Sequence, residues 1–162
     1  MSMQRQVNLG FVFSVVLAYL LMLVQLPPAM TPWKPYWLAL VLIYWGLEDQ
    51  SRVGLGRVFV LGLIADLLVG NLLGEQALRL VALCFIVARF RPRLRFFTMW
   101  QQTLAVLALL VNDRILLLMV RAFAGETLPP PQYWLSPLAG ALLWPFMFLL
   151  LDDLRSRIRA RE

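Results

Sequence analysis

Asp66, Arg79, Asp113 and Arg114 stand inside long runs of aliphatic and aromatic residues. Even lenient insertion scales put one charge at the centre of a membrane helix at about 2.5–3.5 kcal/mol, so such residues face a protein interior and pair. Acids and bases in such positions can form structural ion pairs, hold a polar ligand or relay protons. A relay draws on groups that titrate near neutrality, and the chain has no histidine. Structural pairing is the reading these residues favour, with a ligand or proton site as the functional alternative. Other chemistries lack their residues. Cys84 is the single cysteine; it has no disulfide partner and no imidazole to activate it, and a Cys/His metal site has no ligands. The chain contains no nucleophile elbow, H-E-x-x-H or phosphate-loop pattern. No catalytic residue, cofactor or metal is expected.

The elements that must position these charges follow from hydropathy. The 162 residues are 61% hydrophobic and 15% charged, against about half and a quarter in soluble domains. Mean hydropathy is +0.75. Divided into spans of about 20 residues with short connections, the chain accommodates one all-α membrane bundle. Six spans are expected, at 7–26, 34–48, 53–70, 73–89, 97–120 and 133–151, with 152–162 a basic tail. The first is too long for the apolar core of a signal peptide and no small-residue cleavage pattern follows it, so it is expected to be retained. Pro27-Pro28, the Gly70-Asn71 break, the arginines around Pro92 and the Pro129–Pro131 loop separate the spans. The second span is the short one, and it must borrow its flanks or thin the bilayer.

A net charge of +6 would suggest nucleic acid in a soluble protein. In a membrane protein, basic residues mark cytoplasmic loops. With the N-terminus in the cytoplasm, Arg5, Arg52, Arg57, Arg89, Arg91, Arg93, Arg95, Arg155, Arg157, Arg159 and Arg161 lie inside, and only Lys34 and Arg121 lie in outer loops. Both termini are thus expected in the cytoplasm, with no nucleic-acid partner. Each basic residue near an anionic leaflet contributes about 1 kcal/mol, so membrane lipid is the partner of these loops, with docking of a cytoplasmic protein as the alternative.

In that topology Asp66, Arg79, Asp113 and Arg114 all fall in the outer half of the bundle, and matched depth makes Asp66 the expected partner of Arg79, with Asp113 the second choice. Asp66 also lies in Gly62-x-x-x-Asp66-x-x-x-Gly70-x-x-x-Gly74, and small residues four apart let membrane helices approach closely.

Five groups of residues occur in an order that resembles the MreD family of rod shape-determining membrane proteins over residues 33–151. They are Pro35-Tyr36-Trp37, Tyr44-Trp45, the Gly62-to-Gly74 segment, Trp100-Gln101-Gln102 and Leu143-Trp144-Pro145. The N-terminal tail, the Pro129–Pro131 loop, Arg114 and the arginine-rich C-terminus lie outside the resemblance. It implies a six-helix bundle of the bacterial cytoplasmic membrane, a non-enzymatic scaffold of the cell-wall elongation machinery. The partner implied is MreC, a single-span protein, and through it RodA, its penicillin-binding transpeptidase and the MreB filament. The family is also similar in fold to the substrate-binding subunits of energy-coupling-factor transporters. The alternative function is therefore a small-molecule-binding transporter subunit, using the charges around Asp66 for a zwitterionic or cationic ligand.

Overall fold

The computed structural model describes residues 3–70, 73–127 and 130–160; Asn71 of the expected break, Pro129 of the proline loop and Arg161 of the tail lie outside them. The described residues form helices and turns with no strand: α1 (Met3–Leu23), α2 (Trp37–Glu48), α3 (Leu55–Val69), α4 (Glu75–Leu94), α5 (Met99–Phe123) and α6 (Leu135–Ala160). Three helical stretches, Gln4–Leu23, Met99–Phe123 and Leu135–Ile158, are long and apolar enough to cross a membrane.

The helices stop where backbone chemistry dictates. Gly70 takes the left-handed conformation at φ +77° that ends α3, its N–H bonded to the Asp66 carbonyl at 2.9 Å. Gly74, at φ +95°, precedes α4. Thr98 and Gln101 form a capping box that starts α5. Two helices run on past the expected limits of their spans. α4 runs through Pro92 to Leu94, and α6 runs past Asp152-Asp153 to Ala160, so much of the basic tail is helix. Hydropathy falls where a chain leaves apolar surroundings, whereas the helix continues as long as its charges pair along it. In α6 they do so at Arg157–Asp153, 2.9 Å, and Arg155–Asp152, 3.6 Å.

α2 is the hub. It is 12 residues long, every residue from Leu38 to Leu47 is buried, and it packs against α1, α4 and α6. A helix that is apolar all round belongs in a core. Its rise of about 18 Å falls short of a hydrocarbon thickness near 30 Å, but its neighbours sheathe it. α2 thus meets protein on its sides.

Side-chain ties fix which ends lie together. At one end Arg52 donates to the Asn8 side chain, Arg91 to the Leu47 carbonyl at 3.0 Å, and Arg155 pairs with Glu48 at 2.9 Å. At the other, Lys34 Nζ donates to the Met22 and Val24 carbonyls at 2.5 and 3.0 Å, closing the end of α1. The Ser136 hydroxyl donates to the Lys34 carbonyl at 2.6 Å. The helices therefore alternate up and down.

Candidate functional site

The site residues are built outward from α3 against α4, the most intimately packed pair. Gly62 makes this approach possible: a Cβ there would lie 2.3 Å from Ala77 Cα and 2.6 Å from Ala77 N, positions occupied by backbone. No side chain fits. Gly70 and Gly74 do different work, since a Cβ on either would meet nothing within 4 Å and both have positive φ. The expected four-residue glycine face is thus one packing glycine and two turn glycines. Period-four spacing alone cannot separate close approach from left-handed backbone.

The close approach aims Asp66 at the start of α4. Its Oδ2 accepts the Gly74 N–H at 2.9 Å and its Oδ1 the Gln76 N–H at 3.0 Å. A carboxylate supplied by α3 therefore caps α4, satisfying donors that a helix start leaves open and complementing the positive end of its dipole. This corrects the pairing expected for Arg79. Asp66 is committed to backbone N–H groups, and Arg79 pairs with Asp113 of α5.

That pair is bidentate: Arg79 Nε donates to Asp113 Oδ1 at 3.0 Å and Nη2 to Oδ2 at 2.5 Å, with Asp113 1% and Arg79 5% exposed. Two parallel charge-assisted bonds suit burial, because each partner satisfies the other's polar atoms. The guanidinium lies 4.8 Å from the centroid of the Tyr36 ring, whose hydroxyl donates to Gln76 Oε1 at 2.9 Å. Glu75 joins from the first turn of α4, 3.6 Å from Arg79 Nη1 and 3.9 Å from Arg121 Nη2. Arg114 is half-buried and lines a cleft beside Arg79 and Tyr36. Sequence reasoning passed over Glu75 because it opens a span. Its signal was the four-residue spacing to Arg79, which places both on one helix face. Gln76 carries no charge and gave no signal, and Tyr36 stood out only within the Pro35-Tyr36-Trp37 motif.

Of the remaining family-motif residues, Trp144 and Gln102 tie helices together elsewhere. Trp144 of α6 is fully buried and donates to Gln102 Oε1 at 3.1 Å, while Gln102 Nε2 donates to the Leu94 carbonyl at 3.3 Å. One amide thus joins α4, α5 and α6. Gln101 belongs to the capping box, and Trp100 is exposed. Pro145 lies inside α6 without ending it. Pro35 is buried just ahead of α2, and Trp37 opens that helix. Trp37 also lines an apolar groove of about 680 Å³ between α1 and α6. Phe13, Leu17 and Leu21 form one wall and Leu143, Met147 and Leu150 the other. No group of His, Cys, Asp or Glu among the described residues is placed to hold a metal.

Outside the membrane-spanning helices, burial works against the charge of Asp49, but hydrogen bonds from Ser51 and Arg52 outweigh it and hold the carboxyl below its ordinary range.

The family described as rod shape-determining protein MreD matches residues 3–154 of this chain. The rod shape-determining protein MreD of Haemophilus influenzae is 35% identical over 144 residues, which cover 89% of this chain and 89% of that protein. No solved structure matches the chain.

Proposed function

The chain belongs to the MreD family of rod shape-determining membrane proteins, and from that premise we propose that it is a multi-pass, non-catalytic scaffold of the bacterial cytoplasmic membrane. It holds the single transmembrane helix of an MreC-like partner and, through it, RodA, its penicillin-binding transpeptidase and the MreB filament. Family membership carries this reading. The groove between α1 and α6 supports it as the docking face. Along α6 its apolar lining extends from Leu143 to Leu151, about 12 Å at 1.5 Å per residue, and Asp153 and Arg157 continue it into the arginine-rich end. That is somewhat less than half of a hydrocarbon core. Between helices in lipid the gain comes from fit, and a groove offers more contact than a convex face.

Both termini lie in the cytoplasm in this reading, because the arginine-rich end carries the residues that favour that side. Depleting the protein is expected to turn rods into spheres, and its pull-down to recover the single-span partner. Normal shape after complete depletion, with no partner recovered, rejects the role. Leu17→Trp with Leu150→Trp fills the groove from its exposed walls and is expected to lose the partner while the protein accumulates normally. For orientation, cysteines at Ser156 and Gln132, both exposed, are placed in a Cys84→Ser background. An impermeant reagent on spheroplasts is expected to label position 132 and spare 156; the reverse pattern inverts the topology.

A further inference from the structure

We propose that the polar cleft at the end of the bundle where α1 finishes and α2, α4 and α6 begin binds the oxyanion of a phosphate group. The cleft encloses about 200 Å³ and is lined by Lys34, Tyr36, Gln76, Arg79, Arg114 and Ser136, among others. Three cationic side chains thus converge from three places in the chain: the turn before α2, the second turn of α4 and the middle of α5. No carboxylate is among the described residues that line it. Asp113 and Glu75 both face Arg79 from behind the wall, so the charged side chains that line the cleft itself are all cationic.

The hydrogen-bonding character of the wall selects the ligand. The Tyr36 hydroxyl donates to Gln76 Oε1, so the amide has only its NH2 to offer a ligand. Lys34 and both arginines are donors without acceptor capacity. Arg79 spends Nε and Nη2 on Asp113, and its Nη1 stands 3.6 Å from Glu75, beyond hydrogen-bond distance. A donor-rich, cationic wall suits a ligand that only accepts, and tetrahedral oxyanions take several such donors at once. A cation would meet repulsion, and the ammonium of a zwitterion would find no carboxylate among the lining residues.

Size narrows the choice further. Pockets for drug-sized ligands and cofactors enclose roughly 300–1,000 Å³, so this smaller cleft suits a headgroup or a small ion. The wall is also preformed, because the Asp113 fork and the Tyr36 ring fix Arg79 and two carbonyls fix Lys34. Little ordering remains to oppose binding. The phosphate can belong to an anionic phospholipid whose tails stay in the bilayer, or it can be free in solution.

The experiment uses the full chain purified in detergent. Native mass spectrometry compares retention of phosphatidylglycerol and phosphatidylcholine, and thermal melting compares inorganic phosphate with chloride at equal ionic strength. Arg114→Gln removes one cation, and Gln76→Glu keeps an acceptor for the Tyr36 hydroxyl while placing a negative charge in the wall. Preferential retention of phosphatidylglycerol, weakened roughly tenfold (about 1.4 kcal/mol) in either variant that folds, supports the proposal with lipid as the source. A phosphate-specific rise in melting temperature, lost in the same variants, supports it with free phosphate as the source. Retention or stabilisation unchanged in both variants overturns it, because the anion then sits elsewhere. Absence of both effects in the natural sequence overturns it as well.

Discussion

Where α3 finishes and α4 begins, Asp66, Glu75, Arg79 and Asp113 are all buried and each faces a named partner. At the opposite end Arg5, Arg57, Arg89, Arg93, Arg95 and Arg157 lie exposed, and Arg52, Arg91 and Arg155 turn inward to close turns and helix ends. The first arrangement depends on exact partners, since a buried charge without one is costly. In the proposed topology the second tolerates loss of any single residue, because exposed cations would act on the leaflet collectively and each adds little. Charge at one end specifies how helices fit; at the other, in that topology, it favours the cytoplasmic side.

The sharpest way to break this contrast is to remove half of the buried pair. Arg79→Gln or Asp113→Asn alone is expected to cost about 3–5 kcal/mol, whereas Arg79→Met with Asp113→Leu costs much less than the sum. Thermal melting of the single and double variants in detergent measures this; additive losses would refute the pairing. Gly62→Ala comes next. Its Cβ meets the α4 backbone, so α3 and α4 must separate, at about 1–3 kcal/mol, while Gly46→Ala meets only a methyl group of the Val87 side chain at 3.1 Å and is expected to cost less. Equal melting temperatures for the two would remove Gly62 from its special place.

Asp66→Ala, which uncaps α4, is expected to cost about 0.5–2 kcal/mol, with Asp66→Asn milder because its carbonyl oxygen still accepts. At the arginine-rich end Arg91→Gln should cost only about 0.3–1 kcal/mol, the range for a cation at a helix C-terminus. A loss there as large as that of Arg79→Gln would abolish the contrast between the ends. The smallest expected effect is a pH dependence from Asp49. Its carboxyl is held below the ordinary value of 3.8, so its contribution is present above that value and fades as the pH falls through the folded one. Asp49→Asn should therefore flatten the acid limb of the melting-temperature profile slightly and leave neutral pH almost unchanged.

Much of this was readable without coordinates. Composition and hydropathy are sums over local residues, so they determine that the chain is an all-helical membrane protein, roughly where each helix runs, and that its basic residues crowd one end. The order of Pro35-Tyr-Trp37, Gly62 to Gly74, Trp100-Gln-Gln102 and Leu143-Trp-Pro145 determined the family. Tertiary structure decided the rest. Asp66 and Asp113 are the same residue type inside apolar helices, and only the rotation of α3 and α5 about their axes makes one a cap for α4 and the other the partner of Arg79. Gly62, Gly70 and Gly74 read alike in a four-residue repeat, and only backbone conformation and the position of Ala77 separate them. α2 reads as a span too short for its bilayer until its neighbours are in place around it. Hydropathy records that a segment avoids water, and three-dimensional packing alone determines whether lipid or protein replaces that water.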